Sequence, residues 1–218
     1  MSVEQIVTDV DNTILRAERR LLRTLRDLGQ EELFPRMRAR YDGVQALLGP
    51  EGTELFLSDR YLPLDEPLPG AAATLRALRE AGYRIVYLTG RHDAPGDSMR
   101  RGTERWLAEH GFPHPGDGST LLFMKPERGL DDSAFKEEAL REILKLGHVR
   151  AGIGDRPSDG EAYLRLGIPA ILLQSDHHSA DELRTAKGEV WIVRNWIELE
   201  RLLLREGVVD RPAGSGLV

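Results

Sequence analysis

Two carboxylates stand two residues apart near the start of the chain, in Asp9-Val10-Asp11-Asn12-Thr13, directly after the β-type run Val3 to Thr8. Every second side chain of an extended backbone faces the same way, so this spacing can turn both acids toward one reacting centre. One carboxylate can then attack phosphorus while the other moves a proton, provided a cation offsets the charge. A turn closed by side-chain caps is the alternative use of the same residues. Two more groups of chemistry-bearing residues follow. Thr89-Gly90-Arg91 offers a hydroxyl, close backbone approach at glycine and a guanidinium that can clamp phosphate. In Gly154-Asp155-Arg156-Pro157-Ser158-Asp159, Asp155 suits a metal ligand, and Asp159 suits a helix N-cap or a group that orients a neighbour.

These residues suggest a division of labour. Asp9 is the candidate nucleophile, forming an aspartyl-phosphate that splits one hard hydrolysis into two easier steps. Asp11 is the candidate general acid and then base. Two carboxylates facing a phosphate dianion call for Mg²⁺, which prefers hard oxygen ligands: Asp9, the backbone carbonyl of Asp11, and Asp155. Gly90 and Arg91 are expected to bind substrate, with Thr89 gripping a phosphate oxygen. A lysine is wanted against the phosphoryl charge. Lys136, in the first turn of an expected helix, and Lys125, at a strand end, compete for that role, and a solvated lysine is the plain alternative for either.

The elements that would position these groups alternate. Strands are expected over Ile6 to Asp9, Tyr83 to Leu88, Leu121 to Met124, Val149 to Ile153, Ala170 to Leu173 and Val190 to Val193. Helices are expected over Glu18 to Leu28, Glu31 to Leu48 (ending before Gly49-Pro50), Ala71 to Ala81 and Arg100 to His110. Further helices are expected over Ser133 to Leu146 (Ser133 as N-cap), Gly160 to Leu166 and Trp196 to Arg205. Glu51 to Pro69 reads as irregular. Strands separated by helices imply an α/β fold, a doubly wound parallel sheet, with ligands at the carboxyl ends of the strands. Asp9 and Asp11, Thr89 to Arg91, and Asp155 all fall at such ends. The long insertion between Thr13 and Pro69 reads as a small helical cap, giving a core of 1–14 and 67–208, a cap of 15–66 and a frayed tail of 209–218.

Composition narrows the function classes. The 218 residues include no cysteine, which excludes disulfides, thiolate metal sites and a cysteine nucleophile. The net charge of -6 disfavours binding nucleic acid through a generally basic surface. The charge is uneven, since Arg16 to Arg40 holds eight arginines against four acids. That patch is either a solvated helix face or an attractor for an anionic substrate. No apolar run reaches membrane-spanning length and no export signature opens the chain, so a cytoplasmic protein is the default expectation.

Taken jointly, Asp9-Val10-Asp11-Asn12-Thr13, Thr89, a lysine, and Gly154-Asp155 with Asp159 resemble the haloacid dehalogenase-like superfamily of phosphohydrolases, in the right order over Ile6 to Leu173. The resemblance implies a Rossmann-like core, Mg²⁺ dependence, an aspartyl-phosphate route and phosphatase rather than dehalogenase chemistry, because position 11 is Asp. Asp159 and Thr13 would then orient the reacting groups. A narrower resemblance, to the phosphatase half of polynucleotide kinase-phosphatases, is carried by Val86 to Arg91, Thr103 to Leu107, Leu122 to Pro126, Lys136-Glu137-Glu138 and Asp155-Arg156-Pro157. It points to Lys136 as the phosphate-facing lysine, with Lys125 in reserve. The implied substrate is a nucleotide or polynucleotide phosphate end, with a small phosphorylated metabolite, or transfer to an acceptor hydroxyl, as alternatives. A binding domain that had lost its chemistry should lack one of the key acids, and none is missing.

Overall fold

The computed structural model describes residues 2–38, 44–94, 98–116, 118–127, 129–175, 177–184 and 188–209. In chain order the elements are β1 (Glu4–Thr8), β2 (Leu15–Arg16), α1 (Glu18–Asp27), α2 (Phe34–Arg38), α3 (Val44–Phe56), β3 (Glu66–Pro67), α4 (Ala71–Glu80) and β4 (Arg84–His92). They continue with α5 (Met99–Glu109), β5 (Thr120–Lys125), α6 (Asp132–Leu146), β6 (His148–Gly154), α7 (Pro157–Arg165), β7 (Ala170–Leu173), α8 (Ala180–Leu183), β8 (Val190–Val193) and α9 (Trp196–Arg205).

Six strands form one parallel sheet in the order β5-β4-β1-β6-β7-β8. The chain leaves β1 toward β4 and β5, then crosses to β6 on the other side. β1 therefore stands at the switch in strand order, where open α/β sheets form their ligand crevice. Thr8 is level with Tyr87 of β4 and Ile153 of β6, so the residues just beyond all three open at one end of the sheet.

Side chains alternate across the sheet as the period of two requires. Ile6, Ile85 and Tyr87 pack into a core with residues of α1, α4, α5 and α9. Val7, Val86 and Leu88 pack into a second core with Ala139, Leu140 and Ile143 of α6 and Tyr163 of α7. Both faces are covered, which explains why these strands are continuously apolar. The first core also takes in Leu21 and Leu25 of α1 and Phe56 of α3, so the insertion after β1 packs on the sheet's own hydrophobic face. Two short antiparallel strands, β2 and β3, close the two ends of that insertion.

One helix boundary holds and three expectations need correction. The helical path breaks at Gly49 (φ 67°, ψ -178°), as Gly49-Pro50 implies, and a second helical stretch of α3 runs on to Phe56. Pro50 then opens the next turn, where its missing N–H costs nothing. Glu51 to Pro69 is accordingly not irregular throughout, and it also holds a 3₁₀ stretch, Asp59–Leu64. α6 is capped by Asp131, whose carboxylate accepts from Ala134 N, rather than by Ser133. β4 extends to His92, so Thr89-Gly90-Arg91 is strand, not the turn after it. The expected tail, from 210 onward, lies outside the described residues.

Candidate active site

The buried end of β1 carries Asp9, whose backbone N–H donates to Ile153 O of β6 at 2.9 Å. Its Oδ1 accepts from Lys136 Nζ at 2.7 Å, and its Oδ2 from Thr13 Oγ1 at 3.3 Å. The Thr13 hydroxyl lies equally close, at 3.3 Å, to Asp155 Oδ1. Lys136, projecting from the second turn of α6, also donates to Asp159 Oδ1 at 2.7 Å. Asp159 sits in the first turn of α7, and its other oxygen receives the Arg156 N–H at 3.3 Å. Asp159 is thus not the N-cap, which is Arg156, but the third residue of α7, and it both closes the capping box and partners the lysine. Gly154 is what lets α7 come this close, because a Cβ there would lie 2.6 Å from the Asp159 side chain.

Asp9, Asp155 and Asp159 each place one carboxylate oxygen within 4.8 Å of the others. All three are buried, Lys136 donates to Asp9 and Asp159, and the Arg156 charge also acts on Asp155. Burial is the leading cause that pushes Asp9 up to about 6, against the pull of Lys136. Burial, helped by the nearby Asp9, pushes Asp155 up to about 8. Asp155 Oδ2 is buried without a hydrogen-bond partner. Three acids, one lysine and one orphaned oxygen make a site short of positive charge. The donors are all hard oxygens, and a divalent cation such as Mg²⁺ fits them.

Asp11 belongs to a different group. Arg91 grips it through Nε at 2.8 Å and Nη2 at 2.9 Å, and Arg20 of α1 donates to it as well. Both arginines also reach Asp65, Arg91 at 2.9 Å and Arg20 at 3.1 Å. Burial would raise the Asp11 carboxyl, but the two guanidinium groups outweigh it and hold it well below the usual range. The side chain expected to relay protons is therefore held ionised, and it is not part of the acidic trio. A metal contact from residue 11 would come through its backbone carbonyl. Asn12, next in the chain, has φ 60°, the one non-glycine residue with positive φ among the described residues. Asn tolerates that conformation better than most residues.

The remaining candidates have other surroundings. Thr89 is buried within β4, and its hydroxyl accepts the Arg91 N–H at 3.2 Å. Arg91, expected to bind substrate, is 2% exposed and engaged with Asp11, Asp65 and Thr103, so in this conformation it presents no free face. Lys125 is tied to the Asp132 carboxylate and to Leu130 O. Gly90 admits that carboxylate: a Cβ there would lie 2.9 Å from Asp132 Oδ2. Lys136 is the lysine that reaches Asp9, and Lys125 is not.

Arg20 and Asp65 were not picked out from sequence. A signal existed for Arg20: the buried positions of α1 are Arg20, Leu21, Thr24 and Leu25, so the arginine falls on the apolar stripe. Asp65 follows a Pro-containing 3₁₀ stretch and carries no local signal.

The family model of the PITM 1-3 LNS2 domain matches residues 55–172, more than half of the chain. The chain belongs to this family. The LNS2 match takes in Asp65, Arg91, Lys136, Asp155 and Asp159 but begins after Asp9, Asp11 and Arg20. No curated protein matches. Among solved structures, a predicted phosphatase from Clostridium acetobutylicum aligns with TM-score 0.69 and 17% identity, covering 94% of this LNS2 chain and 99% of its own. A HAD family hydrolase from Deinococcus radiodurans, with bound phosphate and sodium, aligns with TM-score 0.60 and 19% identity, covering 96% and 98%. The Pnkp1/Rnl/Hen1 complex aligns with TM-score 0.52 and 20% identity, over 78% of this chain and 45% of that one. The fold of this LNS2 chain is the haloacid dehalogenase-like one that the motifs implied, and phosphatases and hydrolases share it.

Proposed function

We propose that the chain is a Mg²⁺-dependent phosphomonoesterase working through an aspartyl-phosphate on Asp9. The observation that carries this reading is the buried, charge-deficient trio of Asp9, Asp155 and Asp159 around Lys136, at the strand switch of a haloacid dehalogenase-like fold. A carboxylate oxygen of Asp9 attacks phosphorus and the ester P–O bond breaks. The departing oxygen takes a proton from Asp11. Water then attacks the phosphorus of the acyl phosphate while Asp11 takes the water's proton, and inorganic phosphate leaves with Asp9 restored. Lys136 and the Thr89 hydroxyl stabilise the charge on the transferring oxygens. Thr13 and Asp159 hold Asp9, Asp155 and Lys136 in place.

Asp9, Asp155 and the backbone carbonyl of Asp11 would hold the Mg²⁺, which offsets negative charge during transfer. The acid role requires a proton that Asp11 does not carry while both arginines grip it, so turnover includes a state in which that grip is loosened. We read residues 15–66 as a cap over the site, since Arg20 and Asp65 both come from the insertion. The narrower motif likeness, with the fold shared by the Pnkp1-containing complex, supports a nucleotide or nucleic-acid phosphate end as the substrate class. A small phosphorylated metabolite is the second candidate, favoured by the overall negative charge.

Asp9→Asn tests the reading. Hydrolysis of phenyl phosphate should fall at least about a thousandfold while the circular dichroism spectrum stays unchanged; retained turnover removes Asp9 as nucleophile. Excess chelator should stop the wild-type chain, and added Mg²⁺ should restore it.

A further inference from the structure

A cleft of about 550 Å³ opens beside the catalytic loop and is not used by the mechanism above. That volume lies within the range of small-molecule sites. Its walls come from the loop after β1, the segment before α4, and the carboxyl ends of β7 and β8. It therefore lies at the end of the sheet where the acids sit. Asn12, between Asp11 and Thr13, is one of its lining residues. Trp196, another, donates its indole N–H to Thr13 O at 2.8 Å, linking the cleft wall to the hydroxyl between Asp9 and Asp155.

The lining has two characters. Leu68, Leu173 and Ile197 supply apolar lining, and Ile197 is 54% exposed. Arg16 and Arg194 stand on the rim with Glu18. Arg194 is paired with Glu198 at 3.3 Å, whereas Arg16 has no ion-pair partner among the described residues. On the opposite flank of Asp11, Arg20, Arg91 and Asp65 are 1–2% exposed and close the space. Among the described residues the space toward β7 and β8 is the roomier one, and a narrow recess beside α6 is lined by Lys136 and Asp159.

Resting on the phosphomonoesterase reading, we propose that this cleft seats the leaving group of the substrate, and that this group joins an apolar segment to a second anion held by Arg16. The preferred substrates are then phosphomonoesters with a phosphate or carboxylate at the far end, not simple alkyl phosphates.

Binding of non-hydrolysable probes tests the cleft without relying on turnover. Butane-, hexane- and octane-bisphosphonates are compared with the corresponding alkylphosphonates by calorimetry in the presence of Mg²⁺. At the best spacer length the second phosphonate should tighten binding about tenfold, the worth of one charge-assisted hydrogen bond. Arg16→Ala should abolish that gain while leaving phenyl phosphate hydrolysis at the wild-type rate. Equal affinities at every length, a gain that survives Arg16→Ala, or loss of phenyl phosphate turnover in that variant each overturn the proposal. The two readings separate: a bisphosphonate gain with no hydrolysis of any ester keeps the cleft and removes the phosphatase, and hydrolysis with no gain does the reverse.

Discussion

Two buried charge clusters lie side by side at the end of β1, and they are composed differently. Asp11 and Asp65 face Arg20 and Arg91, two charges of each sign, each with close partners. Asp9 and Asp159 are gripped by Lys136, the Arg156 charge acts on Asp155, and one oxygen of Asp155 is buried without a hydrogen-bond partner. Burial raises the cost of any uncompensated charge, so the first cluster, with equal numbers of each sign, is closer to balance than the second, although Asp65 Oδ1 too is buried without a hydrogen-bond partner. The balanced cluster is suited to holding position: it ties the insertion, through Arg20 and Asp65, to β1 and β4. The unbalanced one is suited to receiving something positive, and a site that keeps such a deficit has given up stability for binding.

The largest effect should come from breaking the balanced cluster. Arg91→Met leaves Asp11 and Asp65 each short of a partner in a buried setting, and should cost about 3–5 kcal/mol in urea unfolding. An effect below about 1 kcal/mol would mean that the arginine pair contributes like a surface ion pair and does not tie the insertion down.

In the unbalanced cluster a comparable change should have the opposite sign. With divalent cations chelated and the pH held above about 8, where Asp155 is ionised, Asp155→Asn removes a surplus buried charge and should raise stability by about 1–2 kcal/mol. Destabilisation of the chelated protein by this substitution would show that the trio is already satisfied.

A pH dependence should sharpen the contrast by a smaller, graded effect. The Asp9 and Asp155 carboxyls are pushed up to about 6 and about 8, and burial pushes Asp65 of the arginine cluster up to about 6 as well, so the folded chain holds protons that the unfolded chain releases. Their contribution is favourable at low pH and is lost as pH rises through those values. Asp11, held below its ordinary value, works the other way, adding stability that disappears only in acid. Thermal melts in chelator should therefore show a midpoint that declines between roughly pH 5 and 8; Mg²⁺ should flatten the decline. A midpoint that climbs across this window, or one that Mg²⁺ leaves unchanged, would contradict the assignment of the surplus charge.

Sequence disclosed the architecture wherever periodicity decides it. The limits of β7, β8 and α9 coincide with the expected ones, and α1 differs by a single residue. Boundaries failed where a local signal has two uses. Asp131 and Ser133 are both good caps, and only the folded chain selects between them. Asp9, Thr13, Lys136, Asp155 and Asp159 were each visible as residues at element ends, and the structure brings them together. The arginine cluster was not visible, because Arg91 meets Asp65 and Asp11 across 26 and 80 residues of chain and no spacing rule reports such pairs. Arg20 was counted only as part of a basic stretch, although its place on the buried stripe of α1 marks it as different from its neighbours.

The most direct test of the central claim is a calorimetric titration of the metal-free chain with Mg²⁺, run beside Asp155→Asn. The deficit of charge predicts one site in the wild-type chain and an affinity more than about tenfold weaker in the variant. Equal affinity in the two proteins, or no binding by the wild-type chain, would contradict it.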